Sequence, residues 1–343
     1  MSTHARFSPS SAYRWLTCTK STELKTTTKQ KSSIYATRGS AIHDYCDDWL
    51  NGNQLRMDYR GYVITDDDIQ NTAKPYVDYV ESLFGEIRLY EKHVTIYTEC
   101  SGTADAMIFD DVDGTLHVVD LKCGNTLVKV KNNTQLMSYA LGAVKEFIAL
   151  GKSVKKVITH IVQPSIDNIV SWEYSLKDIS DFQRKLQTTI DKTLKGETEF
   201  HVSSANCHWC PHKYTCPAIE EKVQVVAKNN FENLLLSERL DLIPALKVFI
   251  SATETRAMET LLAGDNVPNY KLSPGRKMRY WKDKKLVEKE LGEKVDLFKK
   301  DMLTVAQVEK ILKKEKIVFD DFDSLVVKES KTIKVEHVDQ GEK

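Results

Sequence analysis

Two carboxylates and an amine stand at a spacing that can do chemistry. Asp105 falls in the apolar run TADAMIF, and Asp120 and Lys122 end a second run, TLHVVDLK, 15 and 17 positions further on. Residues two apart on a strand project from the same face, and an antiparallel neighbour brings a third side chain beside them. Asp105, Asp120 and Lys122 therefore converge if the two runs pair. Adjacent carboxylates resist joint ionisation, and a hard divalent ion with oxygen ligands relieves that repulsion. Mg²⁺ or Mn²⁺ held there activates a water and stabilises charge growing on a phosphate, while Lys122 positions or deprotonates the water and holds a phosphate oxygen. That is the chemistry of phosphodiester hydrolysis. His43, four residues after Gly39 in GSAIH, offers an imidazole as a further ligand to the same metal. Gln135 and Tyr139 stand at i and i+4 in TQLMSYALGAVKEFIAL, so they share a helix face and can steady Lys122 or a phosphate. Singly, a DxK strand end is usually a solvated pair, a Gln-Tyr face packing and a lone histidine structural; it is their joint order that carries the reading. Glu99, Cys100 and His117 lie near the same runs and read as structural.

A second set of reactive residues follows. The chain has seven cysteines, an odd number in a sequence long enough to build a core without staples. Cys207, Cys210 and Cys216 give C-x2-C-x5-C within HVSSANCHWCPHKYTCPAI. Three thiolates are one short of a closed metal site. His208 or His212 would complete a zinc site locally. Cys46 and Cys123 read as small buried or semi-buried thiols.

The elements that must position these groups follow from periodicity and punctuation. Residues 38–51 read as a helix stopped at Gly52, and 66–84 as a second helix capped by Thr65 or an aspartate. Runs over 93–98, 103–109 and 115–121 read as a strand meander, with a turn signal from Asp111 to Gly114. A helix over 134–150 aligns Leu136, Tyr139, Ala140, Ala143 and Phe147; strands over 156–164 and 168–176 and a helix over 177–195 follow. This order predicts an α/β fold, a mixed central sheet flanked by helices. The opening stretch to Thr37 is polar and reads as a loop or mobile flap. The domain boundary is expected at 220/221, with a charge-rich, mainly helical subdomain over 221–343, interrupted by a hairpin-like excursion around Pro274 and Gly275.

The strings GSAIH, GTAD, VVDLKCG and QLMSYALG, in this order and spacing, resemble the motifs of the PD-(D/E)XK nuclease superfamily, specifically its RecB-like branch. The resemblance implies a restriction-endonuclease-like core and metal ligation by His43, Asp105, Asp120 and the Leu121 carbonyl. It further implies catalysis by Lys122 with those two aspartates, supported by Gln135 and Tyr139. Ala104 stands where the name-giving proline does, and Asp120 where many members carry glutamate. Cys18 resembles the lone upstream cysteine of iron–sulfur nucleases in the same branch, such as the AddB-type helicase-nucleases. This implies a [4Fe-4S] cluster on Cys18, Cys207, Cys210 and Cys216, with Zn²⁺ as the alternative that leaves Cys18 idle. Residues 18 and 207 are 189 apart, so a shared cluster would remove much chain entropy and staple the domain closed. The layout also resembles a family of phage-encoded proteins of RecB-nuclease type found among replication and recombination genes.

Composition sets the outer limits. With 41% hydrophobic residues the chain is too apolar for general disorder. Lys+Arg and Asp+Glu are both 49, so affinity for a polyanion must come from local clustering. Residues 271–285 hold seven Lys/Arg against one acid. There Arg276, Lys277 and Arg279, with Trp281, suit phosphate contacts and base stacking in DNA, and a solvated hairpin with packed aromatics fits equally well. No run approaches the roughly 18 apolar residues of a membrane span, and the start lacks the apolar core of a signal peptide. The expected location is the cytoplasm of a bacterial host cell, with phage or prophage origin. The expected function is a metal-dependent DNA nuclease, an end-processing exonuclease serving recombination or replication, with RNA as the open alternative substrate. The competing class is a DNA-binding or scaffold protein on the same fold, acting through single-strand-binding or annealing partners.

Overall fold

Alternating apolar side chains between residues 87 and 175 create two sheet faces that must be covered, and helices cover both. A computed structural model describes residues 5–24, 34–228, 234–275, 277–297, 302–315, 317, 319, 321–329 and 333–337. Its helices are α1 (Ala12–Trp15), α2 (Ile34–Leu50), α3 (Asp66–Asp68), α4 (Lys74–Ser82), α5 (Thr134–Ala149), α6 (Leu176–Leu194), α7 (Ser204–Cys207), α8 (Pro217–Lys228), α9 (Leu236–Leu262), α10 (Lys284–Leu291) and α11 (Val305–Glu315). Its strands are β1 (Asp58–Tyr59), β2 (Tyr62–Val63), β3 (Ile87–Tyr97), β4 (Cys100–Asp110), β5 (Thr115–Leu121), β6 (Lys156–Gln163), β7 (Asn168–Ser175), β8 (Tyr270–Pro274), β9 (Met278–Trp281), β10 (Val326–Glu329) and β11 (Ile333–His337). Two compact units are present, residues 1–249 and 250–343, so the first unit runs past the expected boundary at 220. Among the described residues no helix is long and apolar enough to cross a membrane.

The first unit is the mixed α/β fold that the sequence predicts. Its five strands lie in the order β3-β4-β5-β6-β7, antiparallel except for β5 and β6, which run parallel and are joined through α5. One face buries Val94, Ile96, Met107, Phe109, Leu116 and Val118 against Leu136, Ala140 and Phe147 of α5 and Phe182 and Leu186 of α6. The other buries Ala106, Ile108, Val119 and Leu121 against Ile42 and Tyr45 of α2 and Tyr76, Val77 and Val80 of α4. Gly142 lets α5 settle closely on the sheet, since a Cβ there would lie 2.7 Å from Val94 Cγ2. Asn133 caps α5, its side chain accepting from the N–H groups of Gln135 and Leu136 at 3.0 and 3.2 Å.

Three departures from the sequence reading have physical causes. The opening segment is not a polar loop: Phe7, Ala12 and Trp15 are buried in the main core, and the Trp15 indole donates to the Ser8 carbonyl at 2.9 Å. Two large aromatics anchor a stretch too short to show a period; residues 25–33 of that expected flap lie outside the described residues. β3 starts at Ile87, six positions before the expected 93, because polar side chains on half-buried positions hide its alternation. The excursion at 271–285 is not a hairpin: β8 pairs with β11, and β9 with β10. The second unit has its own core of Val287, Leu291, Val308, Leu312 and Leu325.

Arg38 ties α2 to the rest of the first unit. Its Nε donates to Asp68 Oδ1 at 2.7 Å, Nη1 to the Cys123 carbonyl at 3.2 Å and Nη2 to Thr72 at 3.4 Å. Burial raises the Asp68 carboxyl, but the Thr65 N–H and hydroxyl and the Arg38 charge outweigh it and hold the group below the usual range. Replacing Arg38 with Met leaves a buried carboxylate without its counter-ion and should lower stability by about 3 kcal/mol at neutral pH, read as a lower urea midpoint. Because the folded carboxyl titrates low, this contribution is complete above about pH 4 and is lost as acid carries the pH through the folded value. The gap between wild type and Arg38→Met should therefore narrow in acid; a gap of constant size down to about pH 2 would refute the ion-pair account.

Candidate functional site

The sheet opens where the acids lie. Pairing of β4 with β5 runs from Asp110↔Thr115 to Ala106↔Val119 and stops. Beyond it the Asp105 side chain fills the gap, Oδ2 accepting the Leu121 N–H at 2.7 Å. The Leu121 carbonyl lies on that same side, because the N–H and C=O of one strand residue point together. On the opposite edge of β4, the flanking pairs Tyr90↔Ala106 and Lys92↔Ala104 set Glu91 across from Asp105. Glu91 has φ +38°, a left-handed conformation for a non-glycine residue in mid-strand. Such strain persists only where the surroundings enforce it, and it gathers at functional sites.

Asp120 and Lys122 project together from the end of β5. The Lys122 ammonium stands 2.7 Å from Asp120 Oδ2 and donates to Gln135 Oε1 at 3.1 Å, while Gln135 Nε2 donates to Asp120 Oδ1 at 3.0 Å. Gln135 thus uses both ends of its amide to brace the acid and the amine, from the turn of α5 that Asn133 caps. Tyr139, one turn on, is buried beside Gln135. From α2, His43 Nδ1 lies 3.4 Å from Asp105 Oδ1 and 3.5 Å from Glu91 Oε1. His43, Glu91 and Asp105 offer three ligand atoms mutually within 4.8 Å. His43, Asp105, Asp120, Leu121, Lys122, Gln135 and Tyr139 are therefore brought into one neighbourhood.

The electrostatics of the neighbourhood call for more positive charge. Burial raises the Glu91 carboxyl, with His43 only partly offsetting it. Burial likewise raises Asp120, against the pull of Lys122 and with a further push from Asp105. Asp105 goes the other way: burial is outweighed by His43, Lys122 and the Leu121 N–H, so its carboxyl is held low. Burial opposes the His43 imidazolium, but Asp105 and Glu91 raise it well above the ordinary histidine value. Lys122 is similarly raised by Asp120 and Asp105 against burial. Asp120 Oδ2 is buried and accepts no well-directed hydrogen bond. Three carboxylates gathered around an imidazole and one ammonium fit a hard divalent cation, with His43 and the Leu121 carbonyl as further ligands. Glu91 is the member the sequence reading missed. The strand extends back to Ile87 and sets Glu91 opposite Asp105, but its half-buried polar positions leave no alternation in the sequence to announce it.

A second cluster lies in the same unit. Cys18, Cys207, Cys210 and Cys216 line one cavity, and all four are free thiols. Protein contacts alone hold its two walls together: Asn206 Nδ2 donates to Thr17 Oγ1 at 2.9 Å and the Lys20 N–H to the Glu199 carbonyl at 3.1 Å. Burial, with the neighbouring thiols adding to it, pushes Cys207 up to about 11. His208 and His212 do not line this cavity among the described residues; the His208 ring meets Trp209 edge-on, and His212 is buried. His117 Nδ1 meets His160 Nε2 at 3.0 Å, and His160 in turn meets the Tyr79 hydroxyl at 2.9 Å. This is a packed relay on the α4 side of the sheet, in which burial pushes His160 down to about 3. Cys100 is buried, which pushes it up to about 12, and Glu99 pairs with Arg6 at 3.5 Å.

The basic excursion belongs to the second unit. Arg276 lies outside the described residues, and Lys277 is exposed. The Arg279 guanidinium forks onto the Glu309 carboxylate. The Trp281 indole donates to the Leu303 carbonyl at 2.8 Å and its ring meets Phe322 at 5.5 Å. Two of the four expected DNA contacts are thus engaged within the unit's own packing.

Comparison with known proteins adds two solved structures and one family. The crystal structure of SSO0001 is 22% identical over 41% of this chain and 65% of that one, with a TM-score of 0.24. The aligned part of this chain thus spans less than two thirds of SSO0001. The alkaline exonuclease LHK-Exo from Laribacter hongkongensis is 11% identical over 54% of this chain and 92% of that one, with a TM-score of 0.27. The family model described as a protein of unknown function, DUF2800, matches residues 4–339, and the chain belongs to that family.

Proposed function

We propose that the chain is a divalent-metal-dependent nuclease that hydrolyses phosphodiester bonds of DNA, working from strand ends. The observation that carries this reading is the gathering of Glu91, Asp105, Asp120, His43 and Lys122 at the opened end of the sheet. Nothing about folding needs three carboxylates there, since buried acids without matching cations destabilise a core. Bound at His43, Glu91, Asp105, Asp120 and the Leu121 carbonyl, Mg²⁺ or Mn²⁺ would supply Lewis acidity and a water of lowered pKa. The protein's own groups do the rest. Lys122, kept protonated by Asp120 and Asp105, places a fixed positive charge where a phosphate oxygen gains negative charge. Gln135 holds that ammonium and the Asp120 carboxylate in register through a single amide. The bond from Leu121 N–H orients Asp105 before any ligand arrives, so little reorganisation is left for the reaction. The RecB-like motifs support DNA as the substrate.

The four cysteines are read as the ligands of a [4Fe-4S] cluster with a structural role. The support for this reading over zinc held by a local histidine is that Cys18 lines the same cavity as Cys207, Cys210 and Cys216, whereas a zinc on the C-terminal trio and a histidine would leave Cys18 idle.

Labelled DNA incubated with Mg²⁺ or Mn²⁺ should be shortened by the wild type and protected by a chelator. Asp120→Asn and Lys122→Ala should each lose at least about a hundredfold in rate with the unfolding transition retained. Wild-type protein that leaves DNA, duplex or single-stranded, as intact as both variants do would sink the nuclease reading. Glu91→Gln should raise the Mn²⁺ concentration for half-maximal rate by about tenfold or more; an unchanged metal titration would remove Glu91 from the ligand set. After anaerobic purification, iron and acid-labile sulfide should be present in equal amounts and be lost in Cys18→Ser. One equivalent of zinc with Cys18 dispensable would refute the cluster.

A further inference from the structure

The cavity that gathers the four cysteines also gathers a guanidinium. Arg14 lines it together with Cys18, Cys207, Cys210 and Cys216, and among the described residues its lining includes Lys213 but no carboxylate. The Arg14 carbonyl accepts the Cys18 N–H at 2.7 Å, so the arginine and the first cysteine belong to one turn of chain. Arg14 Nη1 makes a long contact of 3.5 Å to the Trp209 carbonyl, in the turn between Cys207 and Cys210. The Arg14 Nε–H is buried and has no acceptor. A buried donor without an acceptor is destabilising, the more so when it belongs to a charged group. Four neutral thiols are weak acceptors and carry no charge. Four thiolates around a metal group supply both what the Nε–H lacks and what the cation lacks: sulfur acceptors and a net negative charge.

We propose that Arg14 is the charge-balancing donor of the cysteine site, its Nε–H directed at sulfur of a thiolate-held metal group and its charge offsetting the negative charge of that group. The assignment rests on the reading of Cys18, Cys207, Cys210 and Cys216 as metal ligands. Arg14 is a positioning residue: it retains the group and sets how readily it accepts an electron, without touching nucleic acid. Lys213, the other cation on the lining, is spent differently, donating to the His208 carbonyl at 3.1 Å.

The test uses the full chain purified anaerobically, as wild type, Arg14→Lys, Arg14→Gln and Arg14→Met. Three things are measured: metal and sulfide content, the rate of metal release to a chelator, and the midpoint potential by redox titration of the visible spectrum. Arg14→Met and Arg14→Gln should release metal about tenfold faster than wild type, with Arg14→Lys between them and wild type. Loss of the positive charge should shift the reduction equilibrium of the loaded protein about tenfold toward the oxidised form, ~59 mV for one electron. Arg14→Lys should shift it less. If Arg14→Met does not fold, Arg14→Gln, which keeps a polar side chain but no charge, decides. Release rates and potentials equal to wild type in the neutral variants would overturn the proposal, as would a lysine variant no better than the neutral ones. Wild type loaded with zinc and no iron would overturn the cluster reading alone, and the chelator comparison would still decide the role of Arg14. Wild type free of any bound metal would overturn both.

Discussion

A single hydrogen bond, from the Leu121 N–H to Asp105 Oδ2, decides the shape of the site. β4 and β5 have stopped pairing at Ala106↔Val119, and backbone groups released inside a sheet must find partners. Had the ladder continued, Leu121 would be bound to backbone and its carbonyl spent. Instead a side-chain carboxylate serves as the partner, which does two things at once. It satisfies the strand end, and it fixes an acid beside the one at Asp120. The strained Glu91 on the other edge of β4 brings in a third. Folding stability and the accumulation of negative charge are thus drawn from the same few atoms.

The arrangement holds because the restraints reach it from all sides of the sheet. On one face, Asn133 starts α5, and Gln135 at its first turn spans Asp120 and Lys122. On the other, Arg38 links α2, which carries His43, to the capped Asp68 and to the Cys123 carbonyl next to Lys122. These are neutral or charge-paired contacts on rigid elements. They fix side chains within hydrogen-bond distances before any ligand contributes, the condition for electrostatic stabilisation of a reacting group without reorganisation.

The sheet and its helices were legible because their signals are periodic and long. α5 and α6 show apolar residues at helical spacing, and β4 and β5 carry short apolar runs punctuated by the Asp111 to Gly114 turn. Asp105, Asp120, Lys122, Gln135 and His43 could be picked out because chemistry demands those types at that spacing. What escaped has local causes. Glu91 sits in a strand whose half-buried positions carry Arg88, Tyr90 and Lys92, so the alternation is masked, and its own left-handed backbone breaks the pairing that would have revealed it. The burial of Phe7 and Trp15 comes from tertiary contact and leaves no periodic trace. The pairing of β8 with β11 and of β9 with β10 joins segments tens of residues apart, where proximity in sequence argued for a hairpin.

The N-terminal segment connects the two chemically distinct sites of the first unit. A Cβ on Gly102 would stand 3.0 Å from Pro9 and 3.2 Å from Tyr139, so the start of this segment and the tyrosine that backs Gln135 both close on the same glycine of β4. Six residues after Pro9, Trp15 is buried in the core, and three beyond that Cys18 enters the cysteine cavity. Hydrogen bonds from Asn206 to Thr17 and from Lys20 to Glu199 already hold that end without a metal. A metal group on the cysteines therefore would not build the contact but tighten it, its main effect falling on the unfolded chain, where it closes the long loop between Cys18 and Cys207. Hard oxygen ligands at one end and soft sulfur at the other would let the two proposed sites take different metals by ligand chemistry.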